Sequence, residues 1–400
     1  MAAFKTLDDV NVAGKRVLVR VDFNVPVRNG LVTDVSRIER AVPTIRELKE
    51  KGARVVLMSH FGRPKGKIVR EMSLRPVVRA LQAALGGEQV AFAADCIGPP
   101  ADLVTKRMKD GDVALLENLR YHGGEERNDP VFARALAANG QIYVDDAFAA
   151  AHRSHASVDA ITKFLPSVAG RLMQQEINTL TRVLENPDRP LAAIIGGAKI
   201  STKLDLLANL LPKVNVLVVG GAMANTFLYA NGIEVGESMC EFRMADEARR
   251  VSALAKDRGC EIMLPVDAEV AADLKPHVPF KTVPVTQVPK NDMILDIGPE
   301  TAKQIAGKLA TCKSLVWNGP LGAFETPPFE AGTKVVAEAV AKLTKEKKLL
   351  SVAGGGDTVA ALAMAGVLGD FSYVSTAGGA FLEWLEGRDL PGIAALKGRN

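Results

Sequence analysis

The chain has 400 residues, 48% of them hydrophobic and 24% charged, with a net charge of +4. That length exceeds what one hydrophobic core usually serves, so two ordinary globular domains are expected. Residues 1–170 hold 25 Lys and Arg against 20 Asp and Glu and the remainder 25 against 26, an imbalance too small and too unclustered for a nucleic-acid surface but suited to a small anionic ligand of the first half.

Taken in chain order, apolar strand-like runs alternate with amphipathic segments, which predicts parallel sheets built from βαβ units. The first run, VLVRV at 17–21, leads into Asp22, Phe23 and Asn24. Period-two alternation puts Arg20, Asp22 and Asn24 on one face, either because this is an edge strand with a wet face or because the face meets the hydroxyl and carboxylate of a small polar acid. A helical stripe follows at Val35, Ile38, Ala41, Val42, Ile45 and Leu48, with Asp34 as its expected N-cap. Arg37 lies off that stripe near the helix start, where a cation opposes the helix dipole by up to about 1 kcal/mol unless an anion is nearby. The run VVLM at 55–58 ends in Ser59, His60, Phe61, Gly62 and Arg63, and VALL at 113–116 ends in Glu117, Asn118, Leu119 and Arg120. Arg153 follows Val144, Asp145 and Asp146 within AHRSHAS. Any one of these arginines reads as a surface residue. Arg37, Arg63, Arg120 and Arg153 with His60, all at element ends of one sheet, read as a pocket for a phosphorylated acid, because planar guanidinium forks bind phosphate bidentately. His152 and His155 have i, i+3 spacing but would hold a metal only with a third ligand, so capping or core bonding is the default. Asp145 and Asp146 likewise read as caps before they read as an acid/base pair. Residues from about 164 to 185 read as one long helix, ended by Pro187 and Pro190, connecting the two halves.

From residue 190 onward the strand ends change character. LAAII runs into Gly196 and Gly197, VLVV into Gly220 and Gly221, LLSVA into Gly354, Gly355, Gly356 and Asp357, and YVSTA into a turn with Gly378 and Gly379. These ends offer backbone amides where the first half offers charged side chains. GGAKISTK at 196–203 is expected to open a helix with Lys199 and Lys203 one turn apart on one face, beside glycine amides that suit phosphate. The turn Gly355, Gly356, Asp357, Thr358 lets amides approach a polyphosphate at a helix start, with Asp357 as a Mg²⁺ ligand, direct or through water. WNGPLGAFE at 317–325 is a further tight strand end, and Glu325 could reach ribose hydroxyls. Two unlike ligand surfaces suggest two unlike substrates. No G-x-x-x-x-G-K-[ST], G-x-G-x-x-G or protein-kinase signature occurs. A nicotinamide-dependent dehydrogenase would carry the second of these, and a simple anion-binding module would have no use for Lys199, Lys203 and Asp357. The scattered Cys96, Cys240, Cys260 and Cys312 suggest a reduced, cytoplasmic compartment, and neither a leader nor a membrane span is expected.

Together these strings closely resemble phosphoglycerate kinases along essentially the whole chain. RVLVRVDFNVP at 16–26 is the most specific, joined in order by SHFGRPKG, ENLRYHGGEE, DDAFAAAHRSHAS, GGAKISTK, WNGPLGAFE, GGGDT and STAGGAFLEWLEG. The resemblance implies an α/β protein of two doubly wound parallel-sheet (Rossmann-like) domains joined by a helical hinge. It implies residues 1–170 as the 3-phosphoglycerate domain, rejoined by a tail at about 386–400, then a hinge helix at 171–185 and a nucleotide domain at 186–385. The implied reaction is reversible, in-line transfer of the acyl phosphate of 1,3-bisphosphoglycerate to MgADP, giving 3-phosphoglycerate and ATP as a step of glycolysis. The acid site maps to Asp22, Phe23, Asn24, Arg37, His60, Phe61, Gly62, Arg63, Arg120 and Arg153. Nucleotide contacts map to Lys203, Glu325, Gly355, Gly356, Asp357 and Thr358, with Asp357 on Mg²⁺ and with Arg37, Lys199 and Lys203 as catalytic cations. Hinge bending is implied at the connector and at a second crossing near Ser375 and Thr376, in a monomer with no nucleic-acid or membrane partner. Two departures stand out: Asp145 and Ala149 occur where the family has Asn and Gly, and Ala377 where it has Gly, so the local amide nest can differ there.

Overall fold

Six strands of the first half are β1 (Arg16–Arg20), β2 (Arg54–Met58), β3 (Val90–Ala93), β4 (Val113–Leu116), β5 (Ile142–Asp145) and β6 (Ser167–Ala169). They pair in parallel in the order β3-β4-β2-β1-β5-β6. β1, β2, β4 and β5 are buried almost throughout, as expected of parallel strands covered on both faces. Two apolar clusters cover the sheet: Val17, Val19, Val55, Leu57 and Val144 lie in one, Leu18, Val56, Met58, Leu116 and Tyr143 in the other. The alternation thus reflects two buried faces.

In the second half β7 (Leu191–Ile195), β8 (Val216–Val219), β9 (Glu261–Met263), β10 (Ser314–Asn318), β11 (Leu350–Gly354) and β12 (Tyr373–Ser375) pair in parallel in the order β9-β8-β7-β10-β11-β12. This is the doubly wound order of dinucleotide-binding folds, with its reversal between β7 and β10. A small antiparallel sheet of Asp267–Ala271, Lys281–Pro284 and Met293–Ile297 is added beside it.

The computed structural model describes residues 4–397. It divides into two compact units, Met1–Asn178 with Asp389–Asn400, and Thr179–Arg388. The returning helix Pro391–Lys397 packs on β6, with the Gly392 N–H donating to the Ala151 carbonyl (2.9 Å). The last three residues of the expected tail lie outside the described residues. Among the described residues no helix is long and apolar enough to cross a membrane.

Four sequence expectations are corrected. β1 is a central strand, flanked by β2 and β5, so the wet-edge reading of Arg20 fails: Arg20 is 1% exposed and bonded internally. Asp34 does not cap the helix Ser36–Glu50, whose N-cap is Val35; its carboxylate accepts from Ser36 N–H in the turn just before it (2.9 Å). The stretch read as one long helix opens with strand β6, and the helix is Arg171–Leu184. Its start is fixed by the first unit's own residues: Asp146 Oδ1 accepts from Leu172 N–H (2.9 Å) and Met173 N–H (3.2 Å), and Arg171 forks onto Asp8 and Glu47 at 2.6 Å each. Finally, Lys199 and Lys203 do not share a helical face, because Lys199 is extended, Ile200–Thr202 is a 3₁₀ turn and the α-helix starts only at Leu204.

Candidate active site

In the first unit the winding reverses between β1 and β5, where open α/β sheets bind ligands beyond the carboxyl ends of their strands. The chain leaving β1 carries Asp22 and Asn24. Asp22 pairs with the Arg37 guanidinium, supplying the anion that its place in the first helical turn requires. Asn24 Oδ1 accepts from Gly62 N–H at 3.0 Å, tying this loop to the one after β2. The Gly62 carbonyl in turn accepts from Arg120 Nη1 at 2.7 Å, bringing in the loop after β4.

Behind this surface is a buried polar frame. Arg20 Nε donates to Ser157 Oγ (2.9 Å), Ser157 Oγ donates to Glu125 Oε1 (2.6 Å), and Arg20 Nη2 lies 3.0 Å from His60 Nδ1. A guanidinium can only donate, so His60 Nδ1 accepts and the ring proton sits on Nε2. Burial first, then Arg20, Arg120 and Arg153, holds His60 well below the usual imidazole range, so the ring is neutral. The same cations crowd one another. Arg120, 3% exposed, is lowered to about 10 by burial and then by Arg153 and Arg20, and His155 to about 3 by burial and then by Arg120 and Arg20. Positive charge is thus concentrated around a neutral His60, an arrangement that an anion would relieve.

Asn118 and Ser59 were not singled out by sequence, yet they hold the loops. Asn118 accepts from Phe61 N–H (3.1 Å) and donates to the Phe61 carbonyl (2.7 Å), and Ser59 Oγ accepts from Phe23 N–H (2.9 Å). The Phe23 and Phe61 side chains belong to the core, so among the expected acid contacts these two can present only backbone. Arg63 is exposed next to Gly62. Arg153 Nε donates to His152 Nε2 at 3.2 Å. His152 and His155 have no third ligand among the described residues and form no metal cluster.

In the second unit the strand ends at the reversal come so close that side chains are excluded. A Cβ on Gly196 would collide with the Pro320 carbonyl, and one on Gly319 (φ +98°) with the Gly196 carbonyl. Lys203 donates to Asn318 Oδ1 at the end of β10, and Asn318 Nδ2 donates to the Gly354 carbonyl at the end of β11 (2.8 Å). Burial lowers the Lys203 ammonium from its ordinary range, opposed by Glu386 and Asp357. Thr358 is buried, its Oγ1 accepting from Gly319 N–H at 2.7 Å, and so it holds the turn. Lys199 is exposed and acts on Glu241. A cavity of about 560 Å³ opens beside this junction, walled by Gly197, Gly221, Met293, Leu295 and Leu321, with the Glu325 and Asp357 carboxylates on its lining. Apolar walls, glycine backbone and two exposed carboxylates suit a flat base, a ribose and a metal-bound phosphate chain. Asp357 is the second residue of helix Gly356–Met364, and one hard oxygen ligand matches Mg²⁺, which takes a carboxylate or two along with phosphates and water.

Arginines gathered at the strand ends of one doubly wound sheet and a glycine-walled cavity on another fit a phosphotransferase of the α/β class. The sequence matches the family described as phosphoglycerate kinase over residues 7–388. It is 58% identical to the phosphoglycerate kinase of Methylorubrum extorquens over 401 residues, covering 100% of both chains. It is equally identical to that of Granulibacter bethesdensis over 395 residues, 99% of this chain and 100% of the relative. The fold superposes on the solved phosphoglycerate kinases of Coxiella burnetii (TM-score 0.90, 42% identity) and Pyrococcus horikoshii (0.82, 31%), each covering 98% of both chains. The chain therefore belongs to the phosphoglycerate kinase family. Its activity is that family's glycolytic phosphotransfer with a carboxyl group as acceptor.

Proposed function

We propose that the arginine surface of the first unit binds 3-phosphoglycerate or 1,3-bisphosphoglycerate, and that the cavity of the second binds ADP or ATP with Mg²⁺ on Asp357. The observation that carries the acid site is the crowding of Arg20, Arg120 and Arg153 around a neutral His60, a charge excess that an incoming anion relieves. Arg63, Arg120 and Arg153 take the phosphate, His60 donates through Nε2, and Asp22 and Asn24 meet the hydroxyl and carboxylate. On the nucleotide side Glu325 holds the ribose, and the amides of Gly355 and Gly356 hold phosphate.

A carboxylate with an ordinary pKa near about 4 is already ionised at neutral pH, so no general base is required. Charge and position supply the catalysis. Arg37 and Lys203, with Lys199 beside it, meet the equatorial oxygens of a loose transition state, and bound Mg²⁺ neutralises the nucleotide phosphates. Asp22 holds Arg37 and Asn318 holds Lys203 in wait, so neither side chain needs to be ordered at the moment of transfer.

Transfer also requires the two half-sites to be brought into register and shielded from water. The ion pairs of Arg171 with Asp8 and Glu47 tie the start of the connecting helix to the first unit, which supports bending in the helix beyond them; the second crossing lies at Arg388 and Asp389, later than the expected Ser375 and Thr376, which belong to the second unit. The enzyme works as a cytoplasmic monomer. A coupled assay for ATP formation from 1,3-bisphosphoglycerate and MgADP tests the activity. Calorimetry tests the two half-sites, since 3-phosphoglycerate and MgADP must each bind alone. Small-angle scattering without compaction when both are bound would rule out closure, and sedimentation above the monomer mass would rule out the monomer.

A further inference from the structure

A second cavity, of about 710 Å³, lies in the first unit over the carboxyl ends of β3 and β4, with Asp95, His122, Arg70, Arg75, Glu117 and Tyr121 among its lining residues. β3 is the edge strand of its sheet, and Asp95, Cys96 and His122 take no part in the proposed reaction. Asp95 and Cys96 stand on the turn after β3, and His122 follows the 3₁₀ turn Leu119–Tyr121 beyond β4. Adjacent parallel strands thus bring a carboxylate, a thiol and an imidazole together. Their ligating atoms all lie within 4.8 Å of one another, and His122 Nε2 is 2.6 Å from Asp95 Oδ1.

We infer that Asp95, Cys96 and His122 form a binding site for a divalent transition-metal ion of the zinc type, with the fourth position open to the cavity. An Asp–His pair alone would be an ordinary ion pair. Here the Cys96 thiol, fully buried, has its sulfur within 4.8 Å of ligating atoms of both members of that pair, so one dication can bridge all three. A carboxylate and a thiolate carry two negative charges against the two positive charges of the ion, and mixed S, N and O ligation selects zinc-type ions over Mg²⁺. Binding forms metal–sulfur and metal–nitrogen bonds, releases the thiol proton to solvent, and displaces the Nε2 proton that His122 shares with Asp95, leaving the neutral ring with its proton on Nδ1. Supporting contacts are present. Asp95 Oδ1 accepts from Cys96 N–H (2.6 Å), Asn139 Nδ2 donates to the Cys96 carbonyl (2.9 Å), and the His122 ring stacks on Phe132 at 5.2 Å; such outer contacts orient ligands. Asp95 and His122 line the cavity, which gives an ion an approach to these two ligands, while Cys96 lies buried beyond its lining.

The test is a titration of the metal-stripped full chain with Co²⁺ alone, read by absorption, followed by displacement with Zn²⁺. The expected result is one ion per chain, a near-ultraviolet thiolate-to-cobalt charge-transfer band with the visible bands of a four-coordinate ion, and loss of both on adding Zn²⁺. Cys96→Ser should abolish the charge-transfer band. His122→Gln, at a partly exposed position that leaves the core intact, should weaken Zn²⁺ binding by about tenfold or more in calorimetry. No band in the parent chain at excess Co²⁺, a band that survives in Cys96→Ser, or unchanged Zn²⁺ affinity in His122→Gln would each overturn the assignment.

Discussion

The two units place their proposed ligand sites at the same position in similar sheets but build them by opposite means. Beyond β1, β2, β4 and β5 the first unit presents side-chain charge, held by a buried frame of Arg20, Ser157, Glu125 and Asn118. Beyond β7, β8, β10 and β11 the second presents backbone, and its strand ends pack so closely that glycine is required. A charge-built site tolerates changes of shape but not of protonation or hydrogen-bond partner. A backbone-built site is the reverse: one methyl group at the wrong glycine removes it. Lys203 is the exception within the second unit, a single cation set among glycines.

That exception gives the largest expected effect. Lys203→Ala should lower kcat by roughly two to three powers of ten, the loss that follows removal of one preorganised donor to a developing charge. The affinity for 3-phosphoglycerate, a property of the other unit, should not move. Steady-state kinetics with separate calorimetry of each substrate reads both, and near-normal kcat would remove Lys203 from the chemistry.

Gly196→Ala sharpens the contrast. The added Cβ meets the Pro320 carbonyl, which is backbone and cannot rotate away, so a destabilisation of about 2–3 kcal/mol is expected together with loss of MgADP binding. Binding of 3-phosphoglycerate should persist. If both ligands are lost in a chain that still unfolds cooperatively, the two sites are not independent in the way the contrast requires.

Much of this was legible in the sequence. The change from charged to glycine-rich strand ends can be read directly, because a ligand site beyond a parallel strand lies within a few residues of a run of apolar ones. The partners that hold those ends could not be read. Arg20 meets Ser157 and His60 at separations of 137 and 40 residues, and nothing local distinguishes a buried, bonded arginine from one on a wet edge. Periodicity also misled where backbone closeness broke the helix: the spacing of Lys199 and Lys203 is helical, but the chain between them is a 3₁₀ turn after an extended residue. Lys199, read as the partner of Lys203, is exposed near Glu241 instead. The strand at Ser167–Ala169 was missed because three residues are too few for a pattern to form.

Arg20→Met probes the frame of the charge-built unit. Loss of the guanidinium leaves His60 Nδ1 and Ser157 Oγ without their donor, at about 1.5–3 kcal/mol for a charged hydrogen bond, or roughly tenfold to a hundredfold in affinity for 3-phosphoglycerate. The specific readout is the imidazole nitrogen spectrum of His60. The parent chain should give the Nε2–H tautomer alone, and the variant a mixture or the charged ring. A parent chain with the proton on Nδ1 would reverse the assignment of the donor offered to substrate.

The smallest effect on activity concerns Asp145, where the resemblance led one to expect Asn. Burial pushes its carboxyl up to about 6 and that of Asp146 up to about 7. A carboxyl raised on folding holds its proton in the folded state while the unfolded chain releases it near its ordinary value, so its contribution to stability is complete below about pH 4 and is lost as pH rises through the folded value. His155, lowered to about 3, has the opposite sign: its contribution is present above about pH 6.5 and lost as pH falls. Asp145→Asn keeps the acceptor for the Ala147 N–H (3.1 Å) and removes one ionisation. A rise from about 4 to about 6 corresponds to at most roughly 3 kcal/mol, so the melting temperature of the variant minus that of the parent should rise by several degrees, up to about 10 °C, between about pH 4 and about pH 8. The remaining pH dependence, from Asp146 and His155, should survive. A difference flat across that range would mean that Asp145 ionises alike in the folded and unfolded chain, and that the acidic departure adds no charge penalty to a unit otherwise organised around positive charge.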